Sequence, residues 1–431
     1  MKTIDPQRDW KTLVSYLPRD FEQLAVDHRL LNLQWANAKV TSAEDLLRFI
    51  LLHVGADLPL RQTVATIAES GGPELTAVAL HQKMRRAQPY LAALVEQMTT
   101  DAGREAVPER WAGYEMLCLD GSVVCGPGAE GTDARIHAVL RLHDLRVYDV
   151  HVTGAVEGET LRRFMWSPNQ LVIVDRGYSN APGVAHVVNE GADVLVRLNR
   201  GALPLLDAND ETLDPLAWSR ALIGQRVGER TASVVHRSGK NSQMVHGRLV
   251  AVRLPEKEAG EARERVRREH GRRTSAEQLE AAGYVMLFTT SPANRLSASR
   301  CVDAYRLRWQ IELQFKRWKS LCHFDRLPNY RDDTIRSWLT AKVLLALLLD
   351  RIGSPEISGP RRALARQPWK LTAIVWPLIL SAVMPLRLAH AAERLPAIVD
   401  RLDALDGTDI DDRQIAIARK RFTAKRTEVR P

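Results

Sequence analysis

Cysteine pairs and long apolar runs are both scarce in this 431-residue chain. Its four cysteines include no C-x-x-C pair, which excludes a disulfide-stapled secreted fold and gives no zinc-binding pattern. The N-terminus lacks the apolar run of a signal peptide. The most apolar stretch, residues 371–388, is interrupted by Pro377, Pro385 and Arg387. We therefore expect a buried helix pair there and a cytoplasmic, globular protein.

Charge is the first positive feature. Lys and Arg number 61 against 52 Asp and Glu, so the formal net charge is +9. This excess favours a polyanionic partner such as nucleic acid, although many basic proteins bind none. The apolar fraction of 45% excludes a largely disordered chain, and the length predicts two or three structural units.

The first 108 residues have helical periodicity and contain two helices separated by a glycine break. Residues 60–69 form the first, Gly71-Gly72-Pro73 ends it, and residues 75–86 form the second. This is the outline of a helix-turn-helix, with Arg85 and Arg86 placed to contact DNA phosphates. Two core helices with a solvated basic end are the alternative.

From Tyr114 onward the pattern changes to short strands. The predicted order is a strand, a hairpin, a short helix, a strand, a helix and a strand, at residues 116–119, 135–142 with 146–153, 157–165, 170–174, 179–190 and 193–198. This is the order of a ribonuclease-H-like α/β core. Further strand-like runs up to residue 292 predict an inserted sheet, interrupted by a charged helix or loop at 256–280.

A long amphipathic helix is predicted over residues 297–320, and the remainder is helical up to a basic tail at 413–431. The tail could bind DNA without sequence preference or simply be solvated. The predicted fold is thus a mixed α/β core with a β-rich insertion, flanked by helical terminal regions. Its predicted units are residues 1–108, 109–200, 201–292, 293–350 and 351–431.

Two aspartates follow buried strands. A carboxylate at the carboxyl end of a central strand points into the crevice where open α/β sheets bind ligands. Asp120 and Asp175 both fit this position. For Asp120, followed by glycine, an ordinary turn is the alternative.

The helix at 297–320 carries a polar stripe beside its apolar face. At 100° per residue, four polar side chains fall within roughly 60° of one another: Tyr305, Arg308, Glu312 and Lys319. The neighbouring apolar face consists of Ala304, Leu307, Ile311, Phe315 and Trp318. If the aspartates are ignored, a surface helix with i,i+4 ion pairs is the preferred explanation of the stripe.

Together with the aspartates, Glu312 would complete an acidic cluster. Two carboxylates about 4 Å apart repel by roughly 4 kcal/mol at an effective dielectric of 20, so such a cluster needs cations. Mg²⁺ is the usual ion where phosphate completes the coordination, and two such ions catalyse in-line phosphoryl transfer.

The sequence resembles the bacterial DDE transposases of the insertion-sequence-four family, which is related to the transposon-five transposase. Tyr305, Arg308, Glu312 and Lys319 match its signature Y-x2-R-x3-E-x6-K. Leu119-Asp120-Gly121 and Asp175-Arg176-Gly177-Tyr178 match its two upstream acidic regions. The resemblance covers residues 40 to 350.

The resemblance implies a ribonuclease-H-like transposase that cuts the ends of its own element and joins them to target DNA as a synapsed homodimer. Asp120, Asp175 and Glu312 would bind Mg²⁺, with Mn²⁺ able to substitute. The implied DNA contacts are Tyr305, Arg308 and Lys319, with Arg176, Tyr178, Arg85 and Arg86 as further candidates. Such a protein would be associated with the nucleoid.

The resemblance also implies that a flipped base could stack on an aromatic side chain. Trp218, Tyr178 and Trp309 are the candidates, with core packing as the alternative for the last two. Two other functions remain open from the residues themselves. One is a repair or junction endonuclease with the same acidic triad, and the other is a DNA-binding regulator whose acidic cluster is inert.

Overall fold

The computed structural model describes residues 6–31, 40–100, 111–126, 131–239, 241–328, 332–352 and 368–383. The helices in these ranges are α1 (Pro6–Val14), α2 (Phe21–Asp27), α3 (Ala43–Gly55), α4 (Leu60–Glu69), α5 (Ala77–Arg86), α6 (Gln88–Thr100), α7 (Ala181–Asn189), α8 (Pro215–Arg220), α9 (Glu256–His270), α10 (Ala276–Ala281), α11 (Ala298–Arg306), α12 (Trp309–Leu321), α13 (Asp332–Ile352) and α14 (Pro368–Val383). The strands are β1 (Glu115–Val124), β2 (Ala134–Arg141), β3 (Arg146–Gly154), β4 (Gln170–Val174), β5 (Asp193–Arg197), β6 (Leu205–Leu206), β7 (Thr212–Leu213), β8 (Gly228–Ser238), β9 (Asn241–Arg253) and β10 (Tyr284–Thr289).

The described strands form one mixed sheet in the order β3-β2-β1-β4-β5-β10-β9-β8-β6-β7. β1, β4 and β5 run parallel to one another, whereas β2 and β3 form the predicted antiparallel hairpin beside β1. All five residues of β4 are buried. A continuous apolar run of this kind is expected for a parallel strand that is covered on both faces.

The strands of the predicted insertion extend this same sheet. β10 pairs antiparallel with β5, and β9 pairs antiparallel with β10. The strands predicted for the insertion are present as β8, β9 and β10, but they continue the core sheet, because β10 pairs with the free edge of β5. The charged segment between β9 and β10 is helical and consists of α9 and α10.

Two predicted helices differ in the structure. Residues 157–165 contain only a short 3₁₀ turn at Leu161–Arg163, in which the Arg162 N–H donates to the Thr160 hydroxyl. The long helix predicted at 297–320 is divided between α11 and α12. At the division, the N–H groups of Leu307 and Arg308 bond to carbonyls three residues back, so the turn is tightened.

This tightened turn rotates Leu307 out of the apolar face. Leu307 is 37% exposed, whereas Ile311, Phe315 and Trp318 are buried as the periodicity predicted. The core face of the helix is therefore confirmed apart from the residue at the break.

Side chains of the central strands alternate between two apolar cores. Met116 and Cys118 of β1 face the core that includes α3, α6, α12 and α13, whereas Leu117 and Leu119 face the core that includes α7. Because strand side chains have a period of two, Asp120 shares the face of Met116 and Cys118. The strand therefore directs Asp120 towards α12.

The C-terminal apolar stretch is one helix, α14, in its described part, and the residues 384–388 of the predicted helix pair lie outside the described ranges. Among the described residues, no helix combines the length and the apolar character required to span a membrane.

Candidate active site

Asp120 and Asp175 occupy equivalent positions on adjacent parallel strands. Cys118 of β1 is in register with Ile173 of β4, and each aspartate lies two residues further along its strand. The turn alternative for Asp120 was wrong, because β1 continues to Val124 through its pairing with β2. Asp175 directly follows β4 and caps the short turn Arg176–Tyr178, accepting a hydrogen bond from the Gly177 N–H at 2.8 Å.

Arg308 connects Glu312 with Asp120. Its guanidinium forms an ion pair with Glu312 in the first turn of α12 and lies 3.4 Å from Oδ2 of Asp120. The i,i+4 ion pair expected for a surface helix, Arg308 with Glu312, is present. The same Arg308 guanidinium also contacts the carboxylate of Asp120 on β1. The structure thus brings the three predicted acids into one area, with a guanidinium between the first and the third.

The carboxyl group of Asp120 is electrostatically strained. Burial raises its pKa to about 7, and the charges of Asp175 and Glu159 act in the same direction. Arg308 and the Gly121 N–H act in the opposite direction without cancelling the effect of burial. The raised pKa means that the charged form of Asp120 is disfavoured in this environment. A nearby cation would stabilise that charged form.

The other residues of the stripe surround these acids. Lys319 donates a hydrogen bond to the Val123 carbonyl of β1 at 2.9 Å, and the Arg308 guanidinium lies over the Tyr305 ring at 5.9 Å. Arg176 is exposed in the turn after β4. Desolvation and the charge of Arg197 lower its pKa, whereas the charge of Asp175 raises it. Sequence reasoning missed Arg197, which ends β5.

The aromatic candidates differ in accessibility. Tyr178 is fully buried in the core that includes α7, so its predicted contact with DNA was wrong and the packing alternative holds. Trp309 is 51% exposed at the start of α12, so for this residue the packing alternative was wrong. Trp218 is partly buried and packs on the same core as Tyr178.

The N-terminal candidates lie on α5. This helix follows α4 and the turn at 70–76, as the helix-turn-helix outline predicted. Arg86 is exposed, whereas Arg85 forms an ion pair with Asp333 of α13 at 2.7 Å. Asp333 therefore partly neutralises the charge that Arg85 could offer to a DNA phosphate. The basic tail at 413–431 lies outside the described residues.

Sequence reasoning also missed Glu159. This residue lies between β3 and β4, and its carboxylate fits against Gly121 and Gly177, the glycines that follow the two aspartates. Burial and the charge of Asp175 raise its pKa. The segment Glu157-Gly158-Glu159 has no periodicity, so nothing in the sequence separated this carboxylate from a surface one.

The donor set fits a hard cation, although in the described ranges no three His, Cys, Asp or Glu side chains converge closely enough to hold a metal ion as they stand. Carboxylates are the ligands that Mg²⁺ and Mn²⁺ prefer. The buried hydroxyl of Tyr178 has no hydrogen-bond partner among the described residues, and burial together with the charges of Glu159, Asp120 and Asp175 raises its pKa. Between Asp120 and Glu312, the guanidinium of Arg308 already occupies a cation's position.

Paired aspartates on adjacent strands, with a glutamate and basic side chains supplied by a neighbouring helix, define a DDE-type DNA-processing enzyme. Residues 111–349 match the transposase DDE domain family, and the chain belongs to this family. It is a transposase, and transposases of this class generally use divalent metal ions.

Relatives of the chain support this assignment. It is 31% identical over 360 residues to the Escherichia coli K12 protein assigned as transposase InsL of insertion sequence element IS186A, covering 82% of this chain and 96% of the relative. It is also 31% identical over 361 residues to the transposase of element IS421 from E. coli, with the same coverage. A shorter match, 29% over 126 residues, links it to the transposase of IS231F from Bacillus thuringiensis subsp. israelensis, covering 29% of this chain and 26% of the relative.

Proposed function

We propose that this transposase, a member of the insertion-sequence-four family, cuts DNA at the ends of its own element and joins them to target DNA. The observation that carries this proposal is the placement of Asp120 and Asp175 on adjacent parallel strands, each two residues beyond a registered pair, with Glu312 linked to Asp120 through Arg308. The strand order β3-β2-β1-β4-β5 with its parallel centre supports a ribonuclease-H-like core.

Asp120, Asp175 and Glu312 would hold Mg²⁺, or Mn²⁺ in its place. When bound, the ions supply a Lewis acid that activates the attacking oxygen and stabilises the leaving oxygen. The carboxylates contribute fixed negative charge on a rigid pair of strands. The same strands orient the reacting phosphodiester relative to α12.

Basic side chains beside the acids would bind the DNA backbone. Arg308 and Lys319 lie on either side of Glu312 along α12, and Arg176 follows Asp175. Tyr305 packs beside Arg308 and would fix the orientation of its guanidinium at a phosphate. An arginine fork matches phosphate oxygens in pairs, and a lysine adds a point charge.

The flanking regions would select and assemble the DNA. We assign recognition of the terminal repeats to the unit 1–108 through α5 and Arg86, and support of a synaptic homodimer to the unit 351–431. Residues 109–200 and 293–350 would form the catalytic core around the unit 201–292. Acting on chromosomal DNA, the protein would work in the cytoplasm at the nucleoid.

The test uses full-length protein and a supercoiled plasmid that carries the DNA flanking the gene. Reactions contain Mg²⁺, Mn²⁺ or EDTA, and the cut ends are mapped to the nucleotide. We expect paired, metal-dependent cuts at inverted repeats with wild type. Glu312→Gln should bind the same DNA without cutting it, and Glu261→Gln on the exposed face of α9 is the matched control.

Cuts unrelated to any repeat would contradict the proposal in favour of a general nuclease. Cutting by Glu312→Gln at the wild-type rate in Mg²⁺ would show that the acidic triad is wrongly assigned.

A further inference from the structure

We propose that Glu159 is a fourth carboxylate of the divalent-cation site, acting together with Asp120 and Asp175. This inference rests on the proposed function and adds a residue that the acidic triad does not include. Two features of the structure point to it. Gly121 and Gly177 leave space for the Glu159 carboxylate, and the buried Tyr178 hydroxyl has no hydrogen-bond partner among the described residues.

The two oxygens of the Glu159 carboxylate lie against the glycines that follow the aspartates. A Cβ atom at Gly121 would be 2.8 Å from Oε1 of Glu159, and one at Gly177 would be 2.5 Å from Oε2. Real Cβ atoms do not approach that closely, so any side chain at either position would displace the carboxylate. Neither glycine has a positive φ, so what these positions require is space rather than backbone freedom.

This placement puts a carboxylate beside both aspartates. Gly121 directly follows Asp120 within β1, and Gly177 belongs to the turn that Asp175 caps after β4. Glu159 therefore lies next to two adjacent chain segments that carry an acid each. Three carboxylates in such a position repel one another unless a cation lies among them.

The buried Tyr178 hydroxyl is an independent observation. Tyr178 is 0% exposed, and its hydroxyl has no hydrogen-bond partner in the structure. The three carboxylates whose charges act on it are Glu159, Asp120 and Asp175. A buried polar atom without a partner is costly, so this arrangement points to a bound ion or water as the missing partner of the hydroxyl.

The protein itself compensates Glu159 only weakly. The ion-pair partner of Glu159 in the described part of the chain is Arg135, at 3.9 Å, near the limit of such contacts. Glu312, in contrast, pairs closely with Arg308. Of the two glutamates, Glu159 therefore has the charge that the protein neutralises less, and an external cation would compensate it more.

The experiment measures Mn²⁺ binding to metal-free full-length protein by titration calorimetry, with the thermal midpoint of each metal-free variant measured in parallel. Glu159→Gln keeps the shape of the side chain and removes its charge. We expect it to weaken Mn²⁺ binding at least about tenfold, the range found when a partner of a metal site is removed. Its metal-free thermal midpoint should be equal to that of wild type or higher.

The matched control is Glu157→Gln, two residues earlier, where the carboxylate pairs with Arg163 at 3.7 Å and is 46% exposed. It should bind Mn²⁺ as wild type does. Gly121→Ala provides a second route, because its methyl group displaces the Glu159 carboxylate without removing it. The double variant Gly121→Ala/Glu159→Gln should then bind no more weakly than Glu159→Gln alone.

Asp175→Asn separates the two levels of the proposal. If Asp175→Asn abolishes Mn²⁺ binding while Glu159→Gln binds like wild type, Glu159 has only a packing role and this inference is wrong. If neither change alters Mn²⁺ binding, the cation site of the proposed function is itself misplaced. A lowered metal-free thermal midpoint with unchanged Mn²⁺ affinity would likewise assign Glu159 to structural support of Arg135.

Discussion

At Asp120, burial and two neighbouring carboxylates raise the pKa of the carboxyl group, and the Arg308 guanidinium lowers it. Burial is the largest influence, and the pKa of the carboxyl group is raised to about 7. An aspartate carboxyl group in the unfolded chain has a pKa of about 4, so the folded state binds this proton more tightly. The stability of the metal-free protein should therefore fall as the pH rises from about 4 through about 7.

We expect Asp120→Asn to stabilise the metal-free protein at about pH 8, by roughly 1–3 kcal/mol, and to have little effect near about pH 4. Burial disfavours the ionised carboxylate, which forms at about pH 8 and not at about pH 4. The neutral amide of asparagine carries no charge at either pH, so it removes this cost only at the higher pH. Urea unfolding at the two pH values measures the difference, with Asp303→Asn on exposed α11 as control. An equal effect at both pH values would contradict the pKa assignment.

Lys319 allows a second test at this scale. Its side chain bonds to the end of β1, whereas Lys316 on the same helix is exposed. We expect Lys319→Ala to weaken DNA binding and cutting moderately and to lower the salt dependence of binding by about one counterion. Lys316→Ala should change neither, and binding isotherms over a salt series compare the two. Equal effects of both changes would indicate a diffuse charge contribution.

Buried apolar runs predicted β4 and the start of β1. Asp175 directly follows β4 as predicted, whereas Asp120 lies inside β1, because pairing with β2 continues that strand to Val124. Glu159 could not be predicted in the same way, because its position depends on two glycines that are distant from it in the chain. The burial of Tyr178 and the exposure of Trp309 depend on packing that no local pattern encodes.

Among the elements, the pair α9 and α10 is a long connection between two strands that are already neighbours. Tyr284 of β10 is in register with Arg253 of β9, and the Leu254 N–H donates to the Gly283 carbonyl at 2.8 Å. The strand ends are thus held together at the base of the connection. Periodicity predicted the charged segment but could not show that its two ends meet.

Replacing residues 257–281 by a short glycine-serine turn should therefore preserve the sheet. Since the cost of closing a loop grows only slowly with its length, a shorter connection carries no entropic penalty. The ion pairs Arg200–Glu277 and Arg220–Glu280 would be lost, and both have largely exposed carboxylates. We expect a thermal midpoint within a few degrees of wild type. Scanning calorimetry tests this, and loss of cooperative unfolding would contradict it.

At the scale of the whole molecule, the N-terminal helices and α13 are joined through a buried lysine. Lys342 is 0% exposed, and its ammonium donates to Asp57 Oδ1 at 3.1 Å and to the His323 carbonyl at 2.5 Å. Asp57 lies between α3 and α4 with a φ of 52°. The N-terminal region, which was predicted as a separate helical unit, is thereby tied to α13, the helix that follows α12.

Asp57→Asn should lower the free energy of unfolding by about 2–4 kcal/mol, because it leaves the buried ammonium without its counter-charge. Asparagine tolerates the left-handed backbone, so the effect reports on charge rather than conformation. Denaturant unfolding measures it against Asp303→Asn. A change below about 0.5 kcal/mol, the usual size of a surface effect, would show that the pair contributes nothing.

The guanidinium that joins Asp120 and Glu312 also has a thermodynamic consequence. In the proposed site, a divalent ion that entered the acidic cluster would compete with this tethered positive charge, and the displaced Arg308 would then be free to bind a phosphate. Binding of the ion and binding of DNA would therefore be linked, and linkage is reciprocal. The factor by which DNA raised the affinity for the ion would equal the factor by which the ion raised the affinity for DNA.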